Sequence, residues 1–164
     1  MRDLQMEISE WLDAVDGTDL ATLEVDRLRD YRNQGRRLEN LISYSRRLVQ
    51  TRLDIVDNRA PASPEAITAI VTPSQGHPDV AARFIDVDLS DDDAEAAGEY
   101  LRTLIGQDRS HSLDLLNSAQ LSSYRLSLEE GERGISRLRR QIHERLDGLG
   151  TELVRRYKDG EIDS

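Results

Sequence analysis

The stretch ENLISYSRRLVQTRLDI, residues 39–55, carries two patterns at once and determines the predicted fold. Its leucine, isoleucine and valine residues recur at helical spacing and form one narrow apolar stripe. Beside that stripe, five polar residues follow each other at intervals of four, three, four and four positions: Glu39, Ser43, Arg46, Gln50 and Asp54. At about 100° per residue, these side chains point within an arc of roughly 80°. The stretch therefore predicts an α-helix with an apolar seam and a polar line along its shoulder.

Both patterns recur in a second stretch, ERGISRLRRQIHERLD, residues 132–147. It is identical to residues 39–54 at eight of sixteen positions. The second polar line consists of Glu132, Ser136, Arg139, His143 and Asp147. A solvated helix face, with partners four residues apart such as Arg46 and Gln50, is one explanation of each line taken alone. Two helices with the same polar line in the same place favour one shared site.

Apolar residues on both sides of these stretches follow the heptad pattern of a coiled coil. The first seam contains Leu28, Tyr31, Leu38, Ile42, Val49 and Val56, with Gly35, Ser45 and Arg52 in the remaining positions, and the second contains Leu128, Ile135, Leu138, Ile142 and Leu149. We predict helices over 19–57 and 113–158 that pair as an antiparallel coiled-coil hairpin. Residue 28 then lies near 158 and residue 57 near 129, so the polar lines meet at the same level around an approximate twofold axis.

Shorter elements are predicted around this hairpin. Residues 3–15 show the period of an amphipathic helix, which Gly17 ends. Ser90, followed by three aspartates, predicts the start of another helix that extends to about Ile105. All four prolines fall within 58–89, which predicts a linker with one possible short helix, SPEAITAIV.

Two features of these shorter elements leave alternatives open. Trp11 is either part of the core against the hairpin or an anchor for a partner protein, since tryptophan is common in interfaces. The acidic run over 86–99 is either a solvated helix start or a contact for a basic partner.

The composition limits the class of protein. With 164 residues, 4% aromatic and 33% charged, the chain suits a single all-α domain over 1–164, built from helices packed side by side. It has no cysteine, which excludes disulfides and thiolate metal sites. A net charge of −10 argues against direct DNA binding. Without a long apolar run, neither a membrane span nor a signal peptide is expected, so we expect a cytoplasmic protein.

Catalysis is not expected from this sequence. It contains no glycine-rich phosphate loop and no nucleophile motif. The three histidines, at 77, 111 and 143, form no set with metal-ligand spacing, so no metal is predicted. Glu39 and Asp54 lie 15 residues apart on one helix, about 22 Å, which is too far for paired carboxylate catalysis.

The residue types of the polar line suit a guanine nucleotide. A carboxylate can accept the adjacent N1–H and amino donors of guanine, and an arginine can donate to guanine O6 and N7 or stack on the base. Serine and glutamine can donate to phosphate oxygens, while the arginine supplies positive charge.

The pattern Glu-x3-Ser-x2-Arg-x3-Gln-x3-Asp closely resembles the signature of the RsiG-type anti-sigma factors of actinobacteria. The first copy, residues 39–54, matches in full. The second copy matches at four positions, with His143 where the signature has glutamine. A histidine can still donate a hydrogen bond there. The resemblance is confined to the two long helices, and its motif is long and doubled.

The resemblance implies a ligand, a partner and a regulatory role. RsiG-type proteins bind an intercalated pair of cyclic di-GMP molecules on an antiparallel coiled coil. In that state they hold the sporulation sigma factor WhiG away from RNA polymerase. We expect Arg46, Arg47, Arg139 and Arg140 to repel each other in the empty site until the ligand neutralises them. The alternative is a structural coiled-coil adaptor with no nucleotide ligand.

Overall fold

The computed structural model describes residues 3–59, 89–106, 109 and 112–161. These residues form four α-helices and one 3-10 helix: α1 (Leu4–Asp16), α2 (Val25–Arg59), α3 (Asp91–Ile105), η1 (Leu113–Leu115) and α4 (Ser118–Lys158). No strand occurs in the described ranges, and the predicted all-α class is confirmed. The possible short helix SPEAITAIV, residues 63–71, lies outside them.

Helices α2 and α4 lie side by side and run in opposite directions. Near one end of the pair, Arg29 of α2 donates to the hydroxyl of Tyr157 of α4 across 3.1 Å. Near the other end, Asp57 of α2 accepts from Arg125 of α4 across 2.7 Å. The predicted antiparallel pairing is therefore confirmed, and its register agrees to within about one helical turn. The supercoil of a coiled coil stays a prediction.

Buried side chains of the α2–α4 seam are largely those that the heptads predict: Leu28, Leu38, Ile42, Val49, Val56, Leu128, Ile135, Ile142 and Leu149. Tyr31 and Leu138 are only partly buried. The heptads did not predict Leu41, which is fully buried. Its burial has a local cause, because α3 packs on that side of α2 and Ser45, one turn later, donates to the carbonyl of Ala97 in α3 across 3.3 Å.

Both long helices begin later than predicted. Helix α2 begins at Val25 and not near residue 19, because the expected cap residues serve the preceding turn instead. The Thr18 hydroxyl donates back to a carbonyl of α1 across 2.6 Å, and the Asp19 carboxylate accepts a backbone N–H within the turn across 3.1 Å. Helix α4 begins after Asn117, whose side chain forms a reciprocal capping box with Gln120.

The turn between α1 and α2 is attached to α4 by Arg156, a residue that the sequence patterns did not identify. Its side chain is only 7% exposed. It donates to the carbonyls of Leu20 and Ala21 across 2.8 and 3.0 Å, and to Glu152 across 2.8 Å. Hydrogen bonds from Arg155 and Arg156 lower the pKa of Glu152 to about 2. The charge of Arg156 is therefore compensated although the side chain is buried.

Helices α1 and α3 cover one side of the α2–α4 pair. Trp11 of α1 is 2% exposed, and its indole N–H donates to the carbonyl of Tyr31 across 2.9 Å. The core alternative for Trp11 is thus confirmed. Arg37 of α2 joins both short helices, since it contacts Glu7 of α1 at 2.6 Å and Asp93 of α3 at 2.5 Å. Part of the acidic run therefore pairs within the chain.

We predict that Gly35→Ala destabilises the protein because α1 packs directly on this glycine. An added Cβ would overlap the Trp11 ring and approach Leu146 Cδ2 at 2.9 Å. The indole is fixed by its hydrogen bond to Tyr31, so relief requires movement of α1. Overpacking of this kind costs about 1–3 kcal/mol.

Gly134→Ala is the matched control. Gly134 also lies inside a long helix, but an added Cβ there meets nothing within 4 Å. Alanine is the better helix former by up to about 1 kcal/mol, so this change should stabilise the protein. Urea unfolding of both variants measures the difference. A Gly35→Ala variant as stable as Gly134→Ala would contradict the close packing of Trp11.

Candidate ligand site

The two polar lines lie on the face of the α2–α4 pair that points away from α1 and α3. Arg37 and Ser45 of α2 donate side-chain hydrogen bonds to the short helices. At about 100° per residue around the axis of α2, the mean direction of these two side chains is roughly opposite to the centre of the polar line on that helix. No described element covers the line, so it forms an open surface. We call the ten residues of the two lines the paired motif.

Four charged residues of the paired motif form two crossed ion pairs. Arg46 of the first copy donates its Nε–H to Glu132 of the second copy across 2.9 Å. Arg139 of the second copy donates its Nε–H to Glu39 of the first copy across 3.1 Å. Each pair joins the arginine of one copy to the glutamate of the other, so the two pairs are equivalent by the symmetry of the motif. The copies therefore lie at the same level with approximate twofold symmetry, as the antiparallel arrangement predicts.

Each glutamate also accepts from the serine of its own copy. The Ser43 hydroxyl donates to Glu39 across 2.7 Å, and the Ser136 hydroxyl donates to Glu132 across 2.9 Å. Serine and glutamate are four residues apart in both copies, a spacing that makes them neighbours on one helix face. In this structure the serines thus hold the glutamates in place.

The two glutamates are ionised at neutral pH. Burial raises the pKa of Glu39, but hydrogen bonds from Ser43 and Arg139 outweigh it, and the pKa lies below its ordinary value. The hydrogen bond from Arg46 is the strongest influence on Glu132, and it lowers the pKa of that carboxyl as well. The side chains are 18% and 23% exposed, so both carboxylates are partly screened from solvent.

The crossed pairs contradict the expected self-repulsion for Arg46 and Arg139, two of the four arginines that it named. Arg46 and Arg139 are each neutralised by a glutamate of the opposite helix. The expectation failed because it considered the arginines of each helix without the carboxylates that face them. Both arginines use only Nε–H in these contacts, so their terminal amino groups form no hydrogen bond with a described residue.

The outer positions of the paired motif differ between its copies. Gln50, Asp54 and Asp147 are exposed, and their side chains form no hydrogen bond or ion pair within the described part of the chain. His143, at the position equivalent to Gln50, lies 3.3 Å from Glu39 through its Nε2 atom. Glu39 therefore has one partner more than Glu132, and the twofold symmetry is incomplete at this point.

Other kinds of site find no support in the described residues. Within the ranges that the structure describes, no group of three or more histidine, aspartate or glutamate residues is arranged to hold a metal ion. His77 and His111 lie outside those ranges. None of the described helices combines the length and the apolar character that a membrane span requires.

Comparison with protein families gives a match to the part of the chain that contains the first copy of the motif. The profile of the RsiG-like family matches residues 14–63, a segment that contains the first copy of the motif but not the second. No curated protein and no solved structure gives a significant match. The match covers less than a third of the chain, and it supports an RsiG-type protein.

Proposed function

We propose that this chain is an RsiG-type anti-sigma factor that responds to cyclic di-GMP. In the proposed mechanism, an intercalated pair of cyclic di-GMP molecules occupies the paired motif. The loaded protein then binds a WhiG-type sigma factor and keeps it from RNA polymerase, in a sporulation pathway of an actinobacterium. The complex forms in the cytoplasm and does not itself bind DNA.

The observation that supports this proposal best is the crossed pairing of Arg46 with Glu132 and of Arg139 with Glu39. It brings two copies of one motif together on an open face of one chain. Cyclic di-GMP is itself a twofold-symmetric molecule, so a site with approximate twofold symmetry presents equivalent groups to its two halves. The match of the RsiG-like family to residues 14–63 supports the assignment to RsiG-type proteins within this proposal.

The free groups of the paired motif suit guanine. Asp54 and Asp147 are exposed carboxylates, able to accept the N1–H and amino donors of a guanine base. The terminal amino groups of Arg46 and Arg139 can donate to guanine O6 and N7 or to a phosphate oxygen while Nε–H stays on its glutamate. Under this proposal the glutamates orient the arginines, and the arginines and aspartates contact the ligand.

One observation favours the alternative, a structural adaptor with no nucleotide ligand. The crossed pairs neutralise the arginines and the glutamates of both helices without any ligand. They can therefore serve to set the register of the two helices. This role does not account for Asp54 and Asp147, which are matched in the two copies and have no partner in the described residues.

The proposal predicts that cyclic di-GMP stabilises the chain selectively. A ligand at about 100 times its dissociation constant raises the free energy of unfolding by about 2.7 kcal/mol. Cyclic di-AMP has the same phosphates, but its adenine bases lack the adjacent N1–H and amino donors from which the aspartates would accept hydrogen bonds. GTP lacks the twofold symmetry. Thermal unfolding with each nucleotide at equal concentration measures the effect. If the midpoint of thermal unfolding is the same with each of the three nucleotides as it is without nucleotide, the result would favour the structural adaptor.

A further inference from the structure

The charges of the paired motif are insufficient for an anionic ligand. Its ten residues include four carboxylates, Glu39, Asp54, Glu132 and Asp147, but only two arginines. Both arginines are already neutralised by the two glutamates. The paired motif is therefore net negative and would repel phosphate groups. A nucleotide ligand therefore requires positive charge from residues outside the paired motif.

Two arginines next to the paired motif have the position and the freedom to supply this charge. Arg47 follows Ser43 by four residues and Arg140 follows Ser136 by four, so each lies beside the serine of its copy on the same helix face. They occupy equivalent positions in the two copies and are thus related by the same approximate twofold axis. Both are exposed, and neither side chain forms a hydrogen bond or ion pair with a described residue.

Other exposed arginines lack this combination. Arg137 is exposed and also has no partner among the described residues, but the equivalent position in the first copy is Tyr44. Its helical position is about 80° beyond the edge of the polar line. Arg36, near Glu39, has Glu129 at the equivalent position of the second copy. Within residues 39–54 and 132–147, only Arg47 and Arg140 are therefore arginines that occupy matched positions and lack a partner among the described residues.

The geometry points to Arg47 and Arg140 as phosphate-binding residues that extend the paired motif, one on each side of its approximate twofold axis. This inference rests on the proposed function. Arginine donates to phosphate in bidentate fashion, and a free arginine does so without losing an existing ion pair. The two arginines supply positive charge that Arg46 and Arg139 cannot, because Arg46 and Arg139 are neutralised by the glutamates. They determine affinity for the phosphates, whereas the aspartates determine the choice of base.

The test compares Arg47→Gln, Arg140→Gln and the double variant with Arg137→Gln, which removes the same charge from α4 outside the site. Calorimetry with cyclic di-GMP at two salt concentrations measures affinity, and circular dichroism confirms that helicity is unchanged. Each single site variant should bind about tenfold more weakly, and the double variant about a hundredfold. The affinity of the double variant should also depend less on salt. Salt screens the attraction between these two arginines and the phosphates, and the double variant lacks that attraction. Arg137→Gln should bind within about twofold of the unmodified chain.

Three results would contradict the inference, and they are distinguishable from one another. If Arg47→Gln and Arg140→Gln bind cyclic di-GMP as tightly as Arg137→Gln, these arginines do not contact phosphate, while the proposed function stands. If the unmodified chain binds no cyclic di-GMP, the proposed function and the inference both fail. A loss of affinity with no change in salt dependence would also contradict phosphate contact.

Discussion

Arg46→Ala and Arg139→Ala are each expected to weaken cyclic di-GMP binding about 5- to 150-fold while the protein stays folded. Each arginine joins the two helices through Nε–H and keeps its terminal amino groups free on the open face. The loss of a charged, base-reading contact costs about 1–3 kcal/mol. The cost is greater if the two nucleotides bind cooperatively, because both halves of the site then weaken together.

Stability should change little in these variants because neither arginine lies in the apolar seam. Their side chains are 35% and 37% exposed, and an ion pair at that exposure contributes about 1 kcal/mol or less. Calorimetry measures the affinity and circular dichroism the helicity, with Arg137→Ala as the control for lost charge. Normal affinity in both variants, with normal helicity, would show that the paired motif is not the nucleotide site.

Cyclic di-GMP should strengthen binding of the sigma factor about 5- to 150-fold, the usual range of coupling between two sites. Two partly exposed ion pairs join the two helices at the paired motif. An intercalated ligand pair that contacts both helices adds constraints on their relative position. A partner that recognises both helices then meets a more ordered surface and loses less entropy on binding.

Titration of a WhiG-type sigma factor onto the chain, with and without cyclic di-GMP, measures this coupling. By linkage, the sigma factor must raise the affinity for cyclic di-GMP by the same factor, which gives an internal check. Arg139→Ala serves as the control, since its titrations with and without the nucleotide should nearly coincide. Equal sigma-factor affinity in both titrations of the unmodified chain would mean that the nucleotide is not the switch.

The repeat in the sequence was sufficient to predict the helical hairpin. Apolar residues at heptad spacing, such as Ile42 and Ile135, are buried because the period of the pattern matches the period of the helix. The apolar seams of the two helices match in an antiparallel alignment, which therefore predicted that the two motifs lie at the same height along the hairpin. Helix starts were less accurate, because Thr18, Asp19 and Asn117 can each cap a helix or a turn, and the local choice depends on tertiary contacts.

Contacts between distant parts of the chain were the least predictable. The sequence placed Arg46 and Glu132 in the same site but did not show that they neutralise each other, since that depends on the distance between two helices. For the same reason the buried Arg156, which holds the turn at Leu20 and Ala21, had no signal in any local pattern. The expectation of self-repulsion was wrong for Arg46 and Arg139 because this information was missing. The ligand itself stays a prediction.

The central claim is that the two motifs of one chain form one site for a pair of cyclic di-GMP molecules. Calorimetric titration of cyclic di-GMP into the unmodified chain, with the molar mass of the complex measured in parallel, tests it most directly. The account predicts two nucleotides bound per chain, a chain that stays monomeric, and no comparable heat from cyclic di-AMP. Absence of binding, or a stoichiometry of one nucleotide per chain, would contradict it.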